Sequence, residues 1–211
     1  MNFTTFLKKS WHFIWHEDSL ASWIVNVILA FLIVKFILYP VLGFALGTSY
    51  PIVAVVSGSM EHDQPFEEWW NSNKDIYEQY TINKEAFTAF PLKNGFNKGD
   101  LIILTKAEGI EKGDVIVFQG TLKDPIIHRV VAFNTDGSYQ TKGDHNPSSR
   151  NDELAIIKKN IHGKALFKVP YLGWFKLLFV EGVNLFTTKQ QNIHYQEPQR
   201  PTGPPVFNIQ L

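Results

Sequence analysis

The chain has 211 residues, with 20 Lys and Arg against 20 Asp and Glu, and no cysteine. Balanced charge leaves no excess positive potential to hold nucleic acid. The lack of thiols removes disulfides, thiol nucleophiles and zinc–thiolate sites. The length suits one anchored domain, and neither metal nor other cofactor is expected.

The first segment, residues 1–19, places Phe3, Phe6, Leu7, Trp11 and Ile14 at helical spacing beside Lys8 and Lys9. This pattern predicts a short helix lying in a membrane interface. Residues 20–46 then read LASWIVNVILAFLIVKFILYPVLGFAL, with Lys35 as the single charge. A run of ~20 apolar residues crosses a bilayer as a helix, so this segment is read as a transmembrane anchor. A cleaved leader has a shorter apolar region of ~7–15 residues. Asp18 or Ser19 suits the helix start, and Pro40 and Gly43 are expected to kink or end it. Lys35 deep in the span costs roughly 2.5–3.5 kcal/mol, relieved by snorkelling or by a helper subunit. Lysines before the span and none soon after it put the N-terminus in the cytoplasm and the remainder outside the cell membrane.

Beyond the anchor, residues 47–170 read as an extracytoplasmic, mainly β domain. Short β-branched runs occur at Ile52–Val56, Leu101–Thr105, Val115–Gln119, Ile126–Phe133 and Ala165–Val169, with Gly, Asp, Asn and Pro between them. Gly99-Asp100-Leu101 and Gly113-Asp114-Val115 suggest the same turn-then-strand entry twice. Residues 61–98 interrupt this rhythm as a partly helical insertion, with a helix predicted at Glu67–Tyr80. It is either packed on the sheet or a flap touching membrane or substrate through its tryptophans. Residues 171–186 are apolar and read as a membrane-associated segment, and 187–211 as a polar, disordered tail.

Chemistry concentrates at three places. Ser57-Gly58-Ser59-Met60 follows an apolar strand, and a glycine between serines allows a sharp turn that exposes a hydroxyl. A serine needs a base and a group to orient that base. His128, in Pro125-Ile126-Ile127-His128-Arg129-Val130-Val131, can supply the first. Asp144, in Lys142-Gly143-Asp144-His145-Asn146, and Asp152, in Asn151-Asp152-Glu153, are candidates for the second. Taken singly, each has an ordinary structural explanation: a turn, a buried histidine, a turn-forming aspartate.

Together the residues resemble signal peptidase I of the archaeal and endoplasmic-reticulum type, membrane serine proteases that remove signal peptides. The matching blocks are Pro51–Glu61, Gly113–Phe118, Ile126–Val131, Thr141–Asn146 and Val169–Gly173, in the family's order behind an N-terminal anchor. The resemblance implies a signal-peptidase-like β fold and Ser59 as nucleophile. It also implies that Ser57 assists the Ser59 N–H in binding the oxyanion, and that His128 is the base where bacterial members use lysine. It leaves open whether Asp152 or Asp144 orients His128; Asp152 is preferred, with Asp144 supporting the site.

A substrate would lie extended between Ile52–Val56 and Ile126–His128, bound at Val55, Val56, Ile126 and Ile127, with Val56 and Ile127 narrowing the pockets to small residues. Implied partners are secretory preproteins, membrane lipid, and helper subunits or translocation machinery. The chain departs from the family in reading Met60-Glu61-His62 where Met-Glu-Pro is usual, and in the insertion at 61–98. Other readings are a lysine base at Lys142 or Lys106, a non-catalytic peptide-binding adaptor, and an autoproteolytic regulator cut near Ala45–Thr48.

Overall fold

The apolar run forms one helical stretch, Leu20–Leu46, in the computed structural model, which describes residues 2–121 and 123–174. At 1.5 Å per residue it is about 40 Å long, enough to cross a hydrocarbon core of ~30 Å. Ser19 begins it, its Oγ accepting the Ser22 N–H at 3.2 Å. Helix α2 (Leu20–Ile33) passes through a π-helical turn (Val34–Leu38) into α3 (Tyr39–Leu46). Of the kink or stop expected at Pro40 and Gly43, the stop is not at either residue. The wider π turn ahead of Pro40 absorbs its missing N–H, and the stop comes at Gly47 in the left-handed region, φ 66°. The amphipathic segment before it is helix α1 (Phe3–His16). It is tied to α2 by Ser22 Oγ donating to the Phe13 carbonyl at 2.6 Å and Asn26 Nδ2 to that of Ile14 at 2.9 Å.

The helix end is bonded directly into a β domain. The Lys106 N–H donates to the Leu46 carbonyl at 2.9 Å, and Thr48 Oγ1 to that of His162 at 2.7 Å. Six strands follow among the described residues: β1 (Ile52–Ala54), β2 (Leu101–Thr105), β3 (Val115–Phe118), β4 (Ile126–Phe133), β5 (Tyr139–Lys142) and β6 (Ile161–Val169). They form one antiparallel sheet in the order β1-β2-β6-β3-β4-β5. The repeated Gly-Asp entries are the same turn. Gly99 and Gly113 take φ of 91° and 97°, and Asp100 and Asp114 accept the N–H groups of Asn97 and Glu111 at 3.0 and 2.8 Å.

β1 and β4 are separated by three strands in the sheet order, which in a flat sheet is roughly 19 Å at ~4.8 Å per strand. Yet Val53 and Val55 share a core with Val115, Val117, Ile127 and Ala165. The sheet therefore curls around that core and brings the chain beyond β1 toward β4. A second cluster, including Ile116, Phe118, Ile126 and Val130, packs on the opposite face. Alternation along β4 sends Ile126, His128 and Val130 one way, and Ile127, Arg129 and Val131 the other.

The insertion carries helices α4 (Phe66–Glu78) and α5 (Lys84–Ala89). Trp69 and Trp70 are only 5% and 3% exposed and pack with Tyr77, Ile82, Phe87 and Val131 of β4. Burying each such ring is worth about 1.5–3 kcal/mol, so the tryptophans hold the insertion on the sheet. This overturns the flap reading, which needs them exposed. The apolar segment expected at 171–186 is described only as far as Trp174, and the tail expected at 187–211 lies outside the described residues.

Candidate active site

The site begins where β1 runs out. Val55 is buried in the core, Val56 is 54% exposed, and the chain then turns through Ser57-Gly58-Ser59, closed by the Glu61 N–H donating to the Gly58 carbonyl at 3.0 Å. Met60 is fully buried and anchors the turn in the core. The Ser59 carbonyl accepts the His145 N–H at 2.9 Å, and the Met60 carbonyl that of Phe96 at 3.0 Å. Backbone fixed on both sides thus holds a half-buried Ser59 with its hydroxyl available. Ser57 Oγ lies 3.2 Å from Ser59 Oγ.

The other partner of the Ser59 hydroxyl is His128 Nε2, at 2.9 Å. His128 is 3% exposed in the middle of β4. Its Nδ1 is hydrogen-bonded to Glu153 Oε1. Glu153 is fully buried in a 3-10 turn, Asn151–Glu153, and also accepts from Thr141 Oγ1 at 3.2 Å and the Arg150 N–H at 2.9 Å. Each ring nitrogen of His128 thus has one partner, Glu153 Oε1 at Nδ1 and Ser59 Oγ at Nε2. Ser59, His128 and Glu153 are therefore joined in one continuous hydrogen-bond chain.

Neither expected aspartate makes that last contact. Asp152 points away. Its Oδ2 accepts from the Thr121 N–H at 3.1 Å, the Thr121 hydroxyl at 2.8 Å and Arg150 Nη2 at 3.2 Å. Partial burial raises its carboxyl, but the Thr121 bonds outweigh this and hold it below the ordinary value. Consecutive residues in a 3-10 turn differ by about 120°, so Asp152 and Glu153 cannot face the same group.

Asp144 lies on the other side of β4, fully buried. Arg129 donates to it through Nε at 2.9 Å and Nη2 at 2.7 Å, Tyr77 OH at 2.8 Å, and His62 Nε2 lies 3.1 Å away. Burial pushes the Asp144 carboxyl up, but the Arg129 charge and these bonds prevail and hold it well below the carboxylate range. Burial, followed by the nearby Asp144 charge, raises the Tyr77 phenol.

Lys142 is also buried, and burial lowers its ammonium to about 8. Its Nζ donates to the Gly143 carbonyl at 2.7 Å and the Asn146 carbonyl at 2.6 Å, bracing the loop. Lys106 is exposed and paired with Glu108. Neither lysine is bonded to Ser59, whose hydroxyl partners are His128 and Ser57.

The predicted substrate-contacting residues divide in two. Val55 and Ile126 put their side chains into the two cores. Val56 is exposed and Ile127 partly buried. Among the described residues, no group of three His, Asp or Glu side chains is placed to hold a metal ion.

No family model matches the chain. It is 28% identical over 144 residues to the signal peptidase complex catalytic subunit SEC11C of Homo sapiens, covering 63% of this chain and 58% of that protein. It is 26% identical over 173 residues to the SEC11 catalytic subunit of Colletotrichum graminicola, covering 76% and 81%. The SEC11 of Candida tropicalis matches at 26% over 162 residues, covering 70% and 76%. The chain is thus similar to signal peptidase complex catalytic subunits, at 26–28% identity.

Against that relationship, Glu153 is the functional candidate that sequence reasoning missed. The signal-peptidase resemblance directed attention to aspartates, and Glu153 stands directly beside one. The usable signal was its position three residues after Arg150, which suits a side chain folding back onto a helix-start N–H. Arg150 is not a usual capping residue, so that signal was masked.

Proposed function

We propose that this chain is the catalytic subunit of a membrane-bound signal peptidase with a signal-peptidase-like β fold of the archaeal and endoplasmic-reticulum type. It is a serine endopeptidase that cuts secretory preproteins after small residues. The observation that carries this reading is the hydrogen-bond chain from Ser59 Oγ through His128 to Glu153. Kinship with SEC11 catalytic subunits supplies the substrate class. Because the chain spans 58% of the length of its SEC11C relatives, their activity and assembly are carried over as part of this proposal.

His128 Nε2 takes the Ser59 proton as Ser59 Oγ attacks the scissile carbonyl. Glu153 keeps the imidazole in the required tautomer and stabilises the imidazolium that forms. The tetrahedral oxyanion is received by the Ser59 N–H, with the Ser57 hydroxyl beside it. His128 returns the proton to the leaving amine, and water then releases the acyl group from Ser59 by the same route. The substrate lies extended past the end of β1, held by backbone pairing, with Val56 and Ile127 limiting side-chain size. Leu20–Leu46 spans the cell membrane with the N-terminus cytoplasmic, and the β domain faces outward with helper subunits beside it.

The test is cleavage of a preprotein by the full chain in detergent or vesicles. Wild type should release the mature protein at a small-residue junction, and Ser59→Ala or His128→Ala should lower the rate by about 10⁴-fold or more. Undiminished cleavage by Ser59→Ala would sink the assignment.

A further inference from the structure

We propose that the insertion at 61–98 is a positioning element for the nucleophile, with Tyr77 and His62 as its positioning residues. This rests on the reading of Ser59 as nucleophile given above. Both side chains bond Asp144, Tyr77 OH to Oδ1 at 2.8 Å and His62 Nε2 to Oδ2 at 3.1 Å. Asp144 in turn belongs to the loop that grips the nucleophile. Its own N–H donates to Met60 Sδ at 3.3 Å, and the next N–H, of His145, donates to the Ser59 carbonyl at 2.9 Å.

The loop has no slack. A Cβ on Gly143 would stand 2.6 Å from the Ser59 carbonyl oxygen and 2.8 Å from His128 Nε2. A shift of the loop by a few tenths of an ångström therefore changes the Ser59–His128 geometry, on which proton transfer depends. The insertion braces the loop at further points. Arg129, which completes the grip on Asp144, donates to the Pro91 and Leu92 carbonyls of the insertion at 2.9 and 3.0 Å. The Tyr77 ring lies 4.8 Å from Lys142 Nζ, and the Phe87 ring 4.8 Å from the Arg129 guanidinium.

Packing alone does not account for His62. Its ring stacks on Trp69 with centroids 3.6 Å apart and 6° between planes, and its Nδ1 is buried without a hydrogen-bond partner among the described residues. An apolar ring would stack equally well and avoid burying an unpaired nitrogen, which is destabilising. What the histidine adds is the bond to Asp144.

Tyr77→Phe and His62→Phe keep a ring in the aromatic cluster and remove only the bond to Asp144. Two rates are read on the full chain: kcat and KM for preprotein cleavage, and labelling of Ser59 by a fluorophosphonate probe. Each variant should lose about tenfold in kcat and in labelling rate, with KM unchanged. Tyr77→Leu should lose thermal stability as well. Wild-type kcat and labelling in both Phe variants would overturn the proposal, as would a loss confined to KM or one that disappears at temperatures where the variant is fully folded. Wild type that labels at Ser59 but ignores preprotein would count against the substrate reading, leaving the positioning role to be decided by the labelling rates.

Discussion

His128 and Arg129 are neighbours on β4, and each ends on a buried carboxylate from the same following stretch of chain, Glu153 and Asp144 respectively. Alternation of the strand sends them to opposite faces, where they do opposite work. On one side an imidazole, a group able to gain and lose a proton near neutral pH, is presented to a serine hydroxyl. On the other a guanidinium that stays charged is locked to an aspartate held ionised, and the pair is roofed by the insertion. One register shift along β4 would turn both side chains to the wrong face and break both pairs. On the proposed function, the strand thus sets a reactive pair beside a permanent one, and the permanent pair would steady the loop against which the reactive one works.

This contrast can be broken from either side. The largest effect should come from Glu153→Gln, which keeps the shape but loses the charge that fixes the His128 tautomer. Preprotein cleavage should fall about 10³–10⁴-fold in kcat, with thermal stability reduced far less than activity. Opposite behaviour is expected for Arg129→Met, which strands the Asp144 charge. It should cost about 3–5 kcal/mol of folding stability, read by thermal or denaturant unfolding, with activity lost as the fold is lost.

Removing the Ser57 hydroxyl, by Ser57→Ala, should reduce kcat by about tenfold with KM unchanged, as expected for one neutral hydrogen bond near the reacting atoms. Asp152→Asn is the sharpest negative control. Its bonds go to Thr121 and Arg150 near the surface, so cleavage should change by less than about threefold and stability by about 0.5 kcal/mol. A larger loss than in Glu153→Gln would reverse the assignment of the acid.

The permanent side also has a pH signature. The Asp144 carboxyl is depressed on folding, so its stabilisation is complete above the unfolded value of about 3.9 and is lost as pH falls through the folded value. Unfolding curves should therefore show no pH dependence from this pair above about pH 5 and a decline in stability below about pH 4, which Asp144→Asn removes. Lys142 acts at the other end. Between about 8 and the unfolded value of about 10.4, the unfolded chain holds a proton that the folded chain has released. Stability from this group should rise with pH across that window, and Lys142→Met should flatten the rise.

Much of this was legible in the residues. Leu101–Thr105 and Ile126–Phe133 are strands with the predicted limits, because β-branched runs bounded by turn residues have one economical conformation. Helix α4 fell within one residue at its start and two at its end of Glu67–Tyr80. Ser59 and His128, 69 positions apart, proved to be hydrogen-bonded. Strand β5, YQTK, escaped notice because its polar composition carries no apolar alternation; its pairing with β4 is what makes it a strand. Glu153 escaped because the choice between adjacent acids depends on a 3-10 turn that local composition does not encode. Clamping of Asp144 by Tyr77 and His62, 67 and 82 residues away, is tertiary and left no local trace.

The bonds joining Leu46 and Thr48 to β2 and β6 carry a mechanical consequence. With the helix end built into the sheet, rotation of one is rotation of the other. A bilayer thinner than the 27-residue helix is accommodated by tilting, and the β domain must lean with it. On the proposed function, the elevation and heading of Ser59 above the lipid would then follow membrane thickness, and the surrounding bilayer would act as a gauge selecting which peptide bond comes within reach.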